Sequence, residues 1–267
     1  MLRVAPARLL IATAVGCLVL ALALRASQID RALFLAINDA AWRWLPPTLP
    51  ACVTILGHGL CATMLLAPSL LRAPGFLAAG LYATPIALLL SRVPKALIDS
   101  PRPAAALDPA LIHINGIPLA GHNSFPSGHA ITAFLVVAVL LAGDATARPR
   151  WPAAIAVTSA GIAVALSRIA VGAHWPSDVL AGAGLGLAAG LAGALAQQRW
   201  RVATRPAVRV GLSLLVLACA AVLTRVDLGY PLARPLQLAL AALGATMTAT
   251  ALWRAWGERD HARHLPG

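Results

Sequence analysis

Long apolar runs separated by short polar segments dominate this chain of 267 residues. A helix needs about 20 apolar residues to cross the roughly 30 Å hydrocarbon core of a bilayer. Runs that approach or reach this length lie at 9–24, 48–71, 74–93, 129–143, 152–171, 177–196, 208–224 and 235–253. The runs at 9–24 and 129–143 are short, and we expect flanking residues to lengthen them. The pattern predicts an all-α, polytopic membrane helix bundle.

No internal repeat, flexible linker or low-complexity tract divides the chain, so we expect one integral membrane domain over 1–267. It would contain a six-helix core, mainly at about 48–197, and a C-terminal helical hairpin at about 208–253. The eight runs predict eight membrane spans. A count of six also fits, if the last two runs form a hairpin that is appended to the six-helix core. Arg3 and Arg8 precede the first run as in a signal peptide, but a retained span is favoured because the rest of the chain is membrane-embedded.

The composition supports lipid as the main solvent. Hydrophobic residues make up 60% of the chain and charged residues 11%, with a mean hydropathy of +0.80, whereas a soluble domain has roughly a quarter of its residues charged. The net charge is +12, yet the basic residues are scattered between apolar runs, so nucleic acid is not expected as a partner. The four cysteines lie in apolar runs without C-x-x-C spacing, which argues against zinc or a disulfide framework.

The basic residues also predict the orientation of the bundle. With a cytoplasmic N-terminus, the cytoplasmic segments contain Arg3, Arg8, Arg72, Arg148, Arg150, Arg199, Arg201, Arg205, Arg209, Arg254, Arg259 and Arg263. Four of the other nine basic residues belong to or adjoin the polar segments described next. The remaining five are outnumbered by the cytoplasmic twelve, which is a clear positive-inside bias and places both termini in the cytoplasm.

A first polar segment follows the third apolar run and extends from Lys95 to Pro103. Lys95 is the only lysine among 21 basic residues. Its ammonium group acts as a point charge toward phosphate, and Arg102 offers a planar fork of donors. A lysine that only snorkels from a helix end is the alternative, and it is favoured when this segment is considered alone.

A second polar segment, Asn123 to His129, directly precedes the fourth run. Ser127 and Gly128 would place free backbone N–H groups at the positive end of a helix, where anions bind. His129 would then lie where it can donate a proton to a bound group. An ordinary turn followed by an interfacial histidine is the alternative.

A third polar segment, Ser167 to Asp178, joins the fifth and sixth runs. His174 and Asp178 are four residues apart, which on a helix puts both on one face. The carboxylate can hold the imidazole in one tautomer and stabilise its cationic form. A His-Trp anchor at the membrane boundary is the alternative. An even number of spans separates the second and third segments, so all three share one face of the membrane, which weakens each alternative.

The three segments together resemble the type 2 phosphatidic acid phosphatase family, which is related in fold to the vanadium-dependent haloperoxidases. The family pattern is Lys, six residues and Arg-Pro; then Pro-Ser-Gly-His; then Ser-Arg, five residues, His, three residues and Asp. It is matched at Lys95 to Pro103, Pro126 to His129 and Ser167 to Asp178. The resemblance covers about 95–178, and the rest of the chain matches only as membrane spans.

The resemblance implies a role for each matched residue. The phosphate would be bound by Lys95, Arg102, Ser127, the Gly128 amide and Arg168. His174 would attack phosphorus and become a phosphohistidine, with Asp178 orienting the ring, and His129 would protonate the leaving oxygen. Three cationic side chains can supply the positive charge that phosphoryl transfer needs, and few acids lie near the motifs, so neither a metal nor a cofactor is expected.

The expected substrate is a phosphorylated membrane lipid, because the site opens at the lipid interface. The resemblance suggests a bacterial-type inner membrane with the site on its outer face. Undecaprenyl diphosphate is the first choice, and phosphatidic acid, phosphatidylglycerol phosphate and lipid A phosphate stay open. Phosphotransfer to another lipid also fits the motifs. A non-catalytic lipid-binding or transport protein is disfavoured because His174, His129 and Asp178 are all present, and no pattern assigns an oligomeric state.

Three other histidines and one acid, which the family motifs do not include, are interpreted separately. His113 and His122 are in the loop between the first two segments, where a surface position is favoured over contact with the lipid head group. Asp99 is interpreted as part of a loop or an ion pair. His58 lies between Gly57 and Gly59 in the second run, and is either functional or hydrogen-bonded within the membrane.

Overall fold

The computed structural model describes residues 4–143 and 151–263. Arg3, Arg148 and Arg150, used above to predict orientation, lie outside these ranges. Within them the chain is helical and contains no β-strand. The helices are α1 (Val4–Arg25), α2 (Ile29–Trp44), α3 (Thr48–Ile55), α4 (Gly59–Leu66), α5 (Gly75–Leu97), α6 (Pro103–Ala106), α7 (Gly128–Ala142), α8 (Trp151–Ala170), α9 (Pro176–Trp200), α10 (Pro206–Leu223) and α11 (Arg234–Arg263).

Six helical segments in the described ranges are long and apolar enough to cross a membrane. They are Ala7–Arg25, Gly75–Leu97, Trp151–Ala170, Pro176–Trp200, Pro206–Leu223 and Pro231–Trp256. The α3–α4 pair would form a seventh span, and α7 is apolar but has only 15 residues. The predicted all-α polytopic membrane bundle is confirmed, and the protein is an integral membrane protein. The first run is lengthened as expected, whereas the residues following α7 lie outside the described ranges.

The straight span expected at 48–71 is instead broken between α3 and α4, which meet at 75°. Gly57 lies at the break, and a Cβ atom there would come within 2.7 Å of Val164 and 2.9 Å of His129 Cβ, so only glycine allows this close approach. The backbone of His58 is extended, and its Nδ1 accepts a hydrogen bond from the Leu60 N–H at 3.3 Å. The histidine therefore caps α4 and starts a new helix direction.

Helix α2 was not predicted, because its acidic, basic and amide residues interrupt the apolar pattern. It packs against α8 and α9. The buried Asn38 donates through Nδ2 to the carbonyl oxygens of His113 (2.9 Å) and Ala170 (3.1 Å), and its Oδ1 accepts from the His113 N–H (2.7 Å). Helix α2 thus links the loop before α7 to the end of α8.

Helix α9 is the centre of the bundle and packs against α7, α1 and α5. A Cβ atom added to any of five glycines on α9 would collide with backbone carbonyl oxygens of these neighbours, as at Gly182, where it would lie 2.6 Å from the Ser127 oxygen. The five are Gly182, Gly184, Gly186, Gly190 and Gly193. Small residues let membrane helices approach closely. The close approach holds the beginnings of α7 and α9 side by side.

We predict that Gly186→Ala destabilises the bundle, because the added methyl group would meet the Ile131 carbonyl oxygen on α7. Such overpacking costs about 1–3 kcal/mol. Gly211→Ala on α10 is the matched control, since its methyl group meets nothing within 4 Å and alanine stabilises a helix by up to about 1 kcal/mol over glycine. Thermal unfolding in detergent measures both, and equal midpoints would contradict the tight α7–α9 contact.

Candidate active site

The loop from α8 to α9 places His174 at one end of the bundle. The loop turns at Gly172, where the backbone φ of +78° is a conformation that glycine adopts more readily than other residues. The N–H groups of Ala173 and His174 both donate to the Arg168 carbonyl oxygen, at 3.0 and 3.3 Å. His174 is only 2% exposed, and its Nδ1 lies 3.4 Å from both Asp178 Oδ2 and Ser124 Oγ. The other ring nitrogen, Nε2, is therefore left to meet a reacting group.

The carboxylate of Asp178 is fully buried and held from several sides. Its Oδ2 accepts hydrogen bonds from the Trp175 N–H at 3.0 Å and from Ser124 Oγ at 2.5 Å. Arg25 at the end of α1 brings Nη1 to 3.9 Å from Oδ1. Neither Ser124 nor Arg25 was predicted to be part of the site, although Ser124 stands in the second polar segment. Asp178 thus has a fixed orientation toward the ring of His174.

Two of the predicted cationic residues lie at this end of the bundle, and one of them, Arg102, contacts Nε2 of His174. Arg102 Nη1 lies 3.3 Å from this nitrogen and donates to the Ala173 carbonyl oxygen at 3.0 Å, while its Nε donates to Asn123 Oδ1 at 3.2 Å. Lys95 Nζ donates to the carbonyl oxygens of Asn123 (2.6 Å) and Ser124 (3.3 Å). The first and second polar segments therefore meet at the imidazole, with Asn123 contacting both cations.

The third cationic residue, Arg168, is buried and only 2% exposed. Its Nη1 donates to Thr54 Oγ1 at 2.6 Å and to the Tyr230 hydroxyl at 2.8 Å. Its Nε has no hydrogen-bond partner among residues 4–143 and 151–263. Tyr230 belongs to the connection between α10 and α11, so the C-terminal hairpin reaches the site. Sequence reasoning missed Thr54 and Tyr230, since nothing local to either residue signals the contact.

The second polar segment forms the start of α7, and this start lies next to Asp178. The Ser127 N–H donates to the Asp178 carbonyl oxygen at 3.0 Å, while the buried Ser127 hydroxyl has no partner within the part of the chain that the structure describes. The N–H groups of Gly128 and His129 belong to the first helical turn, which leaves them without intrahelical acceptors. The buried Ser127 Oγ and Arg168 Nε can therefore both donate to a bound group. Donors of this kind beside three cations suit an anion.

The ring of His174 is neutral near neutral pH. Burial lowers its pKa well below the usual range for histidine, and the positive charges of Arg168, Arg102 and Lys95 lower it further. A buried imidazole beside cations cannot accept a proton without another charge entering a medium of low dielectric constant. The unprotonated nitrogen that a nucleophile needs is therefore available.

The two loop histidines lie outside this cluster. His113 stacks on Trp42 with the ring centroids 4.8 Å apart. His122 pairs with Asp99 at 2.8 Å, and both side chains are mostly exposed. The surface position favoured for His122 and the ion pair favoured for Asp99 are as predicted.

Fold and site together define a polytopic helical membrane protein with a buried His–Asp pair and three cationic side chains at one end of the bundle. Residues 76–203 match the family model of the PAP2 superfamily. The resemblance inferred from the three motifs is therefore confirmed, and the matched region contains the eight residues to which that resemblance assigned roles.

Curated relatives and a solved structure agree with this family match. The chain is 36% identical over 101 residues to lipid A 1-phosphatase of Rhizobium etli, which is 37% of this chain and 40% of the relative. It is 34% identical over 97 residues to undecaprenyl-diphosphatase of Sulfolobus acidocaldarius, which is 36% of this chain and 43% of the relative. The chain thus spans about two fifths of the length of these relatives.

The crystal structure of Aquifex aeolicus LpxE superimposes with a TM-score of 0.52 at 26% identity, over 63% of this chain and 96% of that one. The shared fold therefore extends beyond the segment that contains the three motifs.

We predict that Arg102→Gln raises the pKa of His174, because it removes one of the positive charges that disfavour protonation of the ring. In the native protein the ring stays neutral as the pH falls through about 6.5, the ordinary histidine value. Histidine ring shifts measured by NMR against pH would report the titration, with His174→Asn used to assign the signal. Arg225→Gln, which removes an exposed arginine, is the control. An unchanged titration in Arg102→Gln would contradict this electrostatic account.

We predict that Tyr230→Phe weakens binding of inorganic phosphate about tenfold, because Arg168 loses one of the two hydroxyl groups that orient it. Tenfold corresponds to about 1.4 kcal/mol, close to the net value of a hydrogen bond to a charged group. The dissociation constant can be measured by titration calorimetry in detergent. The matched control is the chain's other tyrosine, Tyr82, which packs on Trp200. Equal phosphate affinity in Tyr230→Phe and Tyr82→Phe would show that Tyr230 does not orient Arg168.

Proposed function

We propose that this protein hydrolyses a phosphate or diphosphate ester of a membrane lipid through a phosphohistidine, without a divalent metal. One observation carries the proposal: a buried, neutral imidazole faces Asp178 and Ser124 with one nitrogen and Arg102 with the other. This arrangement holds a nucleophile with its free nitrogen directed to a cluster of positive charge, as in activated nucleophiles of covalent catalysis.

The residues allow a balanced two-step reaction. Nε2 of His174 attacks phosphorus, the bond to the ester oxygen breaks, and that oxygen keeps the electron pair and takes a proton from His129. Asp178 stabilises the positive charge that develops on the ring of His174. Water then attacks phosphorus while His129 accepts its proton, and phosphate leaves with Nε2 restored. Lys95, Arg102 and Arg168 balance the charge on the phosphoryl oxygens during both steps.

A cavity between the helices supports a lipid as the carrier of the phosphate. It has a volume of about 360 Å³ and extends from Gly128 and His129 between α4, α5, α7 and α10. Its deeper part is lined by Ala62, Leu66, Leu77, Leu81, Leu135 and Val136. Apolar walls of this kind stabilise a hydrocarbon chain, so the phosphate end of an amphiphile can reach His129 while its chain stays in the membrane.

The relatives support this class of substrate. They are named lipid A 1-phosphatase and undecaprenyl-diphosphatase, and both names describe the removal of phosphate from an amphiphile. Undecaprenyl diphosphate remains the first candidate, with lipid A phosphate and glycerophospholipid phosphates as the others.

We place the site on the outer face of a bacterial-type inner membrane, with both termini cytoplasmic. The site lies where α5 and α8 end and α7 and α9 begin. Arg72 precedes α5, and Arg199, Arg201, Arg205 and Arg209 lie where α9 gives way to α10, which is the opposite end of these helices. A concentration of arginines at that end agrees with the positive-inside rule.

We expect the purified protein in detergent to release phosphate from a lipid phosphate with a metal chelator present. His174→Asn should reduce release to background, and His129→Asn should slow it by about 10²–10⁴, as for loss of a general acid. His122→Asn is the matched control, since this exposed ring lies outside the site. An alkaline quench with ³²P-labelled substrate should trap a phosphohistidine in the native protein and none in His174→Asn.

Two results would overturn the proposal: full activity in His174→Asn, or activity that disappears with the chelator and returns with a divalent metal. Product analysis separates hydrolysis from transfer, because transfer yields a newly phosphorylated lipid in place of inorganic phosphate.

A further inference from the structure

His58 lies beside the proposed general acid. Its ring centroid is 6.1 Å from that of His129, with the planes tilted by 57°. The contact of Gly57 with His129 Cβ brings the two histidines together. Because Nδ1 of His58 accepts a hydrogen bond from the Leu60 N–H, its Nε2 carries the proton in the neutral ring. His58 therefore presents a hydrogen-bond donor at the cavity that also contains His129.

Helix α5 contributes Ser91 and Arg92 to the same end of the cavity. Ser91 Oγ faces the beginning of α7, 3.7 Å from where a Cβ atom of Gly128 would lie. Both residues precede Lys95 by about one helical turn, or roughly 5 Å along the axis. Arg92 is exposed and forms no ion pair with an acid among residues 7–143 and 151–256, whose side chains the structure describes. An unpaired arginine at the edge of the membrane suits an anionic ligand.

The deeper hydroxyl groups of the cavity are already satisfied. Thr63, Thr84 and Thr132 each donate to a carbonyl oxygen of their own helix, at 2.9, 2.8 and 3.1 Å. The polar groups available to a ligand are therefore gathered at the end near His129. A hydrocarbon chain joined directly to the transferred phosphate would have to pass these polar groups. This placement is unfavourable, because the chain would remove the polar groups from water and offer them no hydrogen bonds in return.

We propose that His58, Ser91 and Arg92 form a binding site for the inner phosphoryl group of a lipid diphosphate. The outer phosphoryl group lies among Lys95, Arg102 and Arg168, and the chain lies in the apolar part of the cavity. This inference rests on the proposed function and narrows its substrate class from lipid phosphates to lipid diphosphates.

The proposed site has a consequence for the chemical step. Nε2 of His174 attacks the outer phosphorus, the bond to the bridging oxygen breaks, and the electron pair stays on that oxygen, which takes the proton from His129 and becomes part of a lipid monophosphate. Negative charge develops on this leaving group while the bond breaks. Arg92 and the Nε2–H of His58 stabilise that charge with donors already in place. A monophosphate ester leaves an alcohol instead, and uses neither donor.

The test compares farnesyl diphosphate with farnesyl monophosphate, which share one chain, in a nonionic detergent free of other phosphates. We expect native kcat/KM to be at least tenfold higher for the diphosphate. His58→Asn and Arg92→Gln should each reduce this preference about tenfold. Asparagine keeps an oxygen acceptor for the Leu60 N–H at the start of α4, where it is a favoured cap, while removing the Nε2 donor. Arg225→Gln should leave the preference unchanged.

The outcomes separate the two proposals. If neither ester is hydrolysed, nor any other lipid phosphate, the proposed function is wrong. If the monophosphate is hydrolysed as well as the diphosphate, or if His58→Asn and Arg92→Gln slow both esters equally, the diphosphate site is wrong and the proposed function stands.

Inhibition of the native protein gives a second measurement that needs no variant. Methylenediphosphonate should compete with substrate at least tenfold more tightly than inorganic phosphate does. Equal inhibition constants would contradict a site for two linked phosphoryl groups.

Discussion

The concentration of positive charge around one buried neutral imidazole is the constraint on which the rest of the site depends. Lys95, Arg102 and Arg168 repel one another in a medium of low dielectric constant, and Asp178 is the one carboxylate bonded within the cluster in the described ranges. The cations are held instead by neutral acceptors, namely carbonyl oxygens and hydroxyl groups. Dipoles fix their positions without cancelling their charge, so the field at His174 remains strong for an incoming anion.

Holding charges with neutral acceptors requires a rigid backbone, and the fold supplies it. The carbonyl oxygens that bind Lys95 and Arg102 belong to the turn before α7 and to the loop before α9. These two helices are in backbone contact through the glycines of α9. The loop before α9 is fixed further by Asn38 of α2. Its side chain donates hydrogen bonds to the carbonyl oxygens of Ala170, at the end of α8, and of His113. The apolar helices therefore determine the positions of polar atoms at their ends.

The fold class and the three family motifs could be predicted because they depend on local patterns: apolar runs, and short motifs with fixed spacing. Ser124, Arg25, Thr54 and Tyr230 could not, since their contacts with Asp178 and Arg168 join residues at least 54 positions apart. Such pairs are set by helix packing, which leaves no local signal. The break at Gly57 did have a signal, because a histidine between two glycines is an unfavourable sequence for the middle of a helix.

The hydroxyl group of Tyr230 has a consequence for how this chain can change over evolution. The family match ends at residue 203, yet Arg168 inside it is bonded to Tyr230 outside it. The Ile117 N–H also donates to the Gly229 carbonyl oxygen at 3.0 Å, which ties the hairpin to the loop above the site. The last two helices therefore cannot be exchanged without an effect on the site. Recombination that replaced them would remove a hydrogen bond to Arg168, which lies outside them, so the residues at positions 54, 168 and 230 should be inherited together.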